Sequence, residues 1–146
     1  MPTYLGPLVL IALGGVAIAL QAPINAALSR SVGSPVAAAA VSFGVGFILL
    51  VALTFVGGSG AFGRLASVPV WQLAGGLLGA FYVWSMVSVV AGLGVVTAIA
   101  ALIFGQLTAA LLLDASGAFG IAVQTISLQR VLAVLLVGAG LILSRL

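Results

Sequence analysis

The side chains of this sequence that could take part in chemistry are few, and most of them are amides and hydroxyls. The 146 residues include no Cys, His, Lys or Glu, and Asp114 is the single carboxylate side chain. This inventory excludes thiolate and imidazole metal sites and the usual pairs of nucleophile and base. We therefore expect no catalytic residue, no bound metal and no cofactor.

Two amides near the end of the first apolar segment form the first candidate site. Gln21 and Asn25 are four residues apart, which places them on one face of a helix. Pro23 lies between them and has no N–H to donate to the carbonyl of Ala19. Such a pair could hold a substrate in a water-accessible cavity, or it could form hydrogen bonds between helices. The sequence leaves both interpretations open.

Four further side chains are candidates because they fall where a membrane segment seldom has them. Tyr82 and Trp84 lie near mid-span, whereas such residues usually lie at the membrane interfaces. They could form an aromatic wall for a flat or cationic substrate, or they could simply pack. Gln106 lies eight residues before Asp114, and we expect it to face a cavity. Asp114 could carry a proton, but its place at a helix end also suits an ion pair with Arg130.

The composition predicts an all-α integral membrane protein. Hydrophobic residues make up 64% of the chain and charged residues only 3%, against about 25% in a soluble domain. Five charged side chains cannot cover a water-facing surface, so the lipid bilayer must be the solvent. The four arginines are dispersed along the sequence, and we expect no nucleic-acid partner.

Glycine, proline and polar residues divide the chain into five apolar segments within a single transmembrane domain. The predicted spans cover approximately residues 5–28, 36–56, 70–90, 94–114 and 128–145. The fifth lies between Arg130 and Arg145 and is short for a membrane span. We expect either that both arginines reach towards the interfaces or that the helix begins a turn or two earlier.

Small residues at four-residue spacing predict close packing between helices. The third segment has Gly75 with Gly79 and Gly76 with Ala80, and the fourth has Gly105 in a similar stripe.

The distribution of arginines bears on orientation. Five spans would place Arg64 and Arg130 on one side of the membrane and Arg30 and Arg145 on the other. With two on each side, the positive-inside rule favours neither orientation. Either the chain inserts both ways, so that two copies form an inverted repeat, or a single local bias still fixes one orientation.

Four sequence runs occur in a familiar order: QAPINAALSRSVGSPVAAAAVSFGVG, WQLAGGLLGAFYV, FGQLTAALLLDASG and a final GAGLILSRL. Together they resemble the short YdcZ-type branch of the drug/metabolite transporter superfamily over nearly the whole chain. The resemblance implies half of a ten-helix inverted-repeat fold, completed by a second copy in opposite orientation or by a close paralogue. It also implies a multi-pass location in the bacterial inner membrane. The matching positions are Gln21, Asn25, Phe43, Gly46, Gly75, Gly76, Gly79, Gly105, Gln106 and Asp114.

The function that the resemblance implies is a secondary carrier or facilitator for a small molecule, working by alternating access. Asp114 is then a possible coupling acid. The candidate substrate-binding residues are Gln21, Asn25, Tyr82, Trp84 and Gln106. Two other classes stay open, namely a protein that binds or translocates lipid and a non-transporting subunit that only packs against other helices.

Overall fold

A computed structural model of the chain describes residues 5–57 and 60–146, and these residues are mainly helical with no strand. They divide near Gly92 into two compact units, the first with three long helices and the second with two. The five helices are α1 (Leu5–Val32), α2 (Pro35–Val56), α3 (Ala74–Leu93), α4 (Val95–Ser116) and α5 (Leu128–Leu143). In the described ranges, four segments are long and apolar enough to cross a membrane: α1, α2, α4, and α3 together with the helical turn Val70–Leu73.

The connection between α1 and α2 is shorter than the sequence predicts. Helix α1 continues through Pro23 and ends at Val32, four residues beyond the predicted end of the first span. Gly33 then adopts a φ of +73°, a left-handed conformation that favours glycine and ends the helix. The Ser34 hydroxyl caps α2 by accepting a hydrogen bond from the backbone N–H of Ala37 at 3.2 Å, and Pro35 is the first residue of that helix.

Helix α5 is shorter than the predicted fifth span. It begins at Leu128, where the Ser127 hydroxyl accepts a hydrogen bond from the Arg130 N–H, and residues 121–127 are not helical. The expectation that the helix begins a turn or two earlier is therefore wrong. Its 16 residues rise about 24 Å, less than the roughly 30 Å of a hydrocarbon core. Helix α5 can span the core only if its end residues reach the interfaces, as predicted for Arg130 and Arg145.

The core of the first unit is small and is built from short side chains. Ala38 and Ala39 of α2 are buried against Val83 and Val87 of α3, with Leu28 and Tyr82 packed around them. Alanine on one helix lets the backbones approach closely, which is the usual way that helices pack in lipid. Many larger apolar side chains are exposed instead, and they must be covered by lipid or by another protein surface.

Only one of the four glycines predicted to pack helices has such a contact within its unit. A Cβ at Gly79 would lie 3.4 Å from the ring of Phe43, whereas a Cβ at Gly75, Gly76 or Gly105 would meet no atom within 4 Å. For Gly75, Gly76 and Gly105, helix packing stays a prediction. It would require another protein surface to pack against these three glycines.

A leucine at Gly79 is therefore expected to destabilise the first unit, whereas a leucine at Gly75 is not. The Gly79→Leu side chain would force Phe43 and α2 away, at a cost of about 1–3 kcal/mol. Gly75→Leu is the matched control on the same helix. Thermal unfolding in a mild detergent should show a lowered midpoint for Gly79→Leu alone. Equal midpoints would show that the contact between Gly79 and Phe43 does not hold α2 against α3.

The second unit is a helical hairpin joined by polar contacts at both ends. At one end, the Ser144 hydroxyl donates to the Thr97 hydroxyl at 3.2 Å. At the other, the guanidinium of Arg130 lies 3.1 Å from the carboxylate of Asp114. Gly117, with a φ of +64°, ends α4 two residues beyond the predicted end at Asp114.

Candidate functional site

The polar side chains of the first unit meet near the middle of the predicted membrane. The Gln21 amide Nε2 donates a hydrogen bond to the Ser42 hydroxyl at 3.3 Å, joining α1 to α2. Counting the helical rise from the α1–α2 connection, Ser42 lies about 10 Å and Gln21 about 16 Å along their helices. Half of a 30 Å core is about 15 Å, so this pair lies deep in the hydrocarbon region.

Asn25 is the most deeply buried polar side chain of this group. It is only 4% exposed, yet its carboxamide has no hydrogen-bond partner among the residues that the structure describes. It lines a narrow crevice between α1 and α3 together with Gln21, Tyr82 and Met86. The crevice has a volume of about 10 Å³, which is just enough for one water molecule or one small functional group.

Gln21 also lines a much wider groove on the side of α2. This groove has a volume of about 330 Å³, within the range of small-molecule pockets. Its walls are apolar apart from Gln21 and Ser42 at one end, and they include Phe43, Phe47 and Leu50. Gln21 therefore lines both a tight crevice beside Asn25 and an open apolar groove.

The two mid-span aromatic residues do not form one wall. Tyr82 is half-buried and lines the crevice beside Asn25. Trp84 instead lines a groove of about 350 Å³ between α2 and α3, together with Phe43 and Phe81. The ring centroids of Phe81 and Trp84 are 5.9 Å apart at a tilt of 49°, a packing geometry common for aromatic pairs. The structure thus brings Tyr82, but not Trp84, to the candidate amides.

Gln106 lies at the middle of α4, about 15 Å along the helix from its end at Ser116. Its side chain is exposed and makes no hydrogen bond within the described part of the chain. The groove that the second unit forms between α4 and α5 is lined by Leu107, Ala110 and Asp114, and Gln106 is not part of it. Its role in a cavity stays a prediction. An amide at this depth is costly against lipid, so we expect a polar surface to cover it.

Asp114 is engaged in the ion pair that its position suggested. Its carboxylate Oδ2 lies 3.1 Å from the Nη2 of Arg130, and both side chains are partly exposed, at 36% and 40%. The Asp114 carbonyl also accepts a hydrogen bond from the Gln124 N–H at 2.8 Å, which holds the following segment against the end of α4. Asp114 thus joins the two helices of the hairpin at one end.

Sequence reasoning missed Ser42 as a member of the polar group. Ser42 and Gly46 are four residues apart on one face, and this spacing of small residues favours helix packing over a polar role. The available signal was that a hydroxyl lies about seven residues into the helix that follows a mid-span glutamine.

Four membrane-length apolar helices, a shorter fifth helix and an uncharged polar group at mid-membrane depth define a multi-pass integral membrane protein. The family described as "Putative inner membrane exporter, YdcZ" matches residues 6–143, and the chain belongs to this family of the drug/metabolite transporter superfamily. Over 134 residues the chain is 32% identical to the inner membrane protein YdcZ of Escherichia coli (strain K12), covering 90% of each protein. No solved structure is significantly similar. The chain is thus a multi-pass protein of the inner membrane.

Proposed function

We propose that this protein is a secondary carrier or facilitator that moves a small molecule across the inner membrane. The observation that carries the proposal is Asn25, a residue only 4% exposed whose carboxamide has no hydrogen-bond partner in the described residues and which lines the crevice beside Gln21 and Tyr82. A buried amide left unpaired costs about 1–3 kcal/mol, so most such groups have partners. A passing substrate, or water in its absence, would supply the missing partner.

The size of the crevice favours alternating access over an open pore. A volume of about 10 Å³ cannot hold a substrate larger than water, so α1 and α3 must separate before a bound molecule can move past Asn25. A site near the bilayer midplane that opens by relative movement of helices is typical of carriers built from inverted repeats.

We propose that the second half of the carrier is another copy in opposite orientation, or a close paralogue. The balanced arginines support dual insertion. Gln106 and the open glycines Gly75, Gly76 and Gly105 support an additional protein surface, because they have no close contact in the described chain. A dimer would cover them and would supply the second set of mid-membrane amides.

We propose that transport is not coupled to protons. The single acidic side chain, Asp114, is paired with Arg130 at the end of α4, away from the middle of that helix. The amides and hydroxyls of the candidate site do not titrate near neutral pH.

Asp114→Asn is accordingly expected to change stability slightly and transport hardly at all. Loss of a partly exposed ion pair costs about 0–1 kcal/mol. The transport rate of wild type and variant should stay flat between about pH 5 and 8, because the chain has no His or Glu to titrate there. Rates measured in liposomes with and without a pH gradient check this. If the variant loses gradient-driven uptake but keeps substrate exchange, then Asp114 is the coupling acid.

The proposed function is tested with purified protein in liposomes. A panel of uncharged, cationic and anionic solutes is loaded on one side, and the rate of equilibration is compared for wild type, Gln21→Leu and protein-free vesicles. We expect at least one solute to equilibrate faster with wild type than with either control. If wild type and Gln21→Leu match the protein-free rate for the whole panel, the carrier proposal is contradicted.

Lipid translocation is a second candidate, favoured by one observation in the second unit. A groove of about 190 Å³ lies between α4 and α5, and its apolar walls include Leu111 and Val134. The ion pair of Asp114 and Arg130 lies at its polar end. An acyl chain along the groove would bring a phosphate towards Arg130. An assay of fluorescent phospholipid flipping in the same liposomes, repeated with Arg130→Gln, separates this function from carriage of a soluble molecule.

A further inference from the structure

We infer that the transported molecule is an uncharged amphiphile, bound in the groove on the side of α2 with its polar end at Gln21 and Ser42. This inference rests on the proposed transport function and names its class of substrate. It follows from the shape of the groove, from the hydrogen-bonding groups at its end and from the position of the charges.

The groove is apolar along its length and polar at one place. Phe43, Phe47 and Leu50 form its walls, and Gly46 lies among them. Gln21 and Ser42 are the polar residues that line it. A ligand that fills about 330 Å³ of this shape must present one hydrogen-bonding end and an apolar body, because a second polar group would lie unpaired against aromatic and aliphatic walls.

The polar end of the groove can both donate and accept hydrogen bonds. Gln21 uses one amide hydrogen for Ser42, which leaves its second amide hydrogen and its carbonyl oxygen available. The Ser42 hydroxyl keeps its own hydrogen to donate. A hydroxyl or carboxamide head group is both donor and acceptor, and it matches this set. The neighbouring carboxamide of Asn25 offers the same chemistry one helical turn further along α1.

No charge in the sequence of the first unit is placed to balance a charged ligand. Its charged side chains are Arg30, about 13 Å further along α1 from Gln21, and Arg64, in the segment between α2 and α3. Within the first unit, a charged head group would therefore be desolvated near the bilayer midplane without a partner, which costs several kcal/mol. A cation–π contact with Phe43 or Phe47 returns only about 0.5–2 kcal/mol.

The walls of the groove face outwards, so the ligand can enter from the bilayer. Phe47 and Leu50 are 67% and 65% exposed, and both belong to a membrane-length helix. In the membrane these side chains meet acyl chains. An amphiphile that has already partitioned into the bilayer can thus bind with its apolar body along α2 without crossing water.

Photolabelling in lipid nanodiscs tests the inference with an eight-carbon aliphatic alcohol that carries a diazirine. Adducts are mapped by mass spectrometry, and unlabelled eight-carbon competitors differ only in the head group: octanamide, octanoate and octyltrimethylammonium, at equal bilayer concentration. We expect adducts between residues 43 and 50, reduced about fivefold or more by octanamide and less than about twofold by either charged competitor. Gln21→Leu should lower this labelling about tenfold, since it removes hydrogen bonds to the head group.

Ser88→Ala is the matched control, because the Ser88 hydroxyl is exposed and bonds only to the Trp84 carbonyl of its own helix. It should label like wild type.

Equal competition by octyltrimethylammonium would overturn the uncharged class of ligand. Labelling that is spread over all helices and is insensitive to Gln21→Leu would overturn the binding site. Specific labelling without any flux in liposomes would leave this binding site standing and contradict the transport proposal. Flux of a charged solute that depends on Gln21 would contradict this inference alone.

Discussion

Asn25→Leu is expected to raise the stability of the protein and to abolish its transport. Asn25 is 4% exposed and its carboxamide has no hydrogen-bond partner in the described residues, so replacing it with an apolar side chain of similar size removes a polar group that no protein group satisfies. The gain should be about 1–3 kcal/mol, and the same change removes a group that the substrate needs. Thermal unfolding in detergent and flux in liposomes give the two readouts.

Thr97→Val is the matched control for this result. Thr97 is also buried, at 7%, but its hydroxyl is paired with Ser144 in the second unit. Its replacement should therefore destabilise the protein by about 0.5–1.5 kcal/mol. If Asn25→Leu also lowers the unfolding midpoint, then Asn25 holds helices together and is not a substrate ligand. That outcome would support the interpretation of the amides as hydrogen bonds between helices.

Variants that insert in one orientation only are expected to be inactive when expressed alone. Two variants with opposite orientations are expected to regain transport when they are expressed together. Ala66→Arg with Ser67→Arg adds two charges to the segment between α2 and α3, and Ser31→Arg with Val32→Arg adds two at the connection on the opposite side. Because the native arginines are balanced, two added charges should bias each variant towards one orientation, and the two biases are opposite.

The readout is the flux of the solute selected by the liposome panel. It is measured in vesicles from cells that express one variant or both. We expect less than about a tenth of the wild-type rate for either variant alone, and substantial recovery when both are present, because only the mixture can form an antiparallel pair. Full activity of each variant alone would contradict the antiparallel dimer. Inactivity of the mixture, with both variants folded and inserted, would contradict it equally.

The helices could be predicted from the sequence, but not which face each one buries. The spans were located because Gly, Pro and polar residues interrupt long apolar runs, and Pro35 and Gly117 lie at helix ends as such residues usually do. The buried face could not be predicted because lipid-facing and protein-facing sides are both apolar. In water a polar stripe marks the exposed side of a helix, and that stripe is missing here.

The candidate site could be predicted in part. Gln21 and Asn25 stood out because amides are costly in lipid, and the structure places both beside the same crevice. The separation of Tyr82 from Trp84 could not be seen in the sequence, since residues two apart on a helix point in different directions and their neighbours depend on tertiary packing. Helix α5 begins at Leu128 as predicted, but it ends at Leu143, two residues before the predicted span ends.

Labelling of a single cysteine from both sides of the membrane tests the central claim most directly. The chain has no native Cys, so Ala66→Cys provides one thiol at an exposed position between α2 and α3. A membrane-impermeant maleimide is applied to intact cells and, separately, to inverted vesicles. The antiparallel carrier predicts that about half of the molecules are labelled in each preparation, because the balanced arginines favour neither orientation. Labelling of nearly all molecules from one side and none from the other would contradict it.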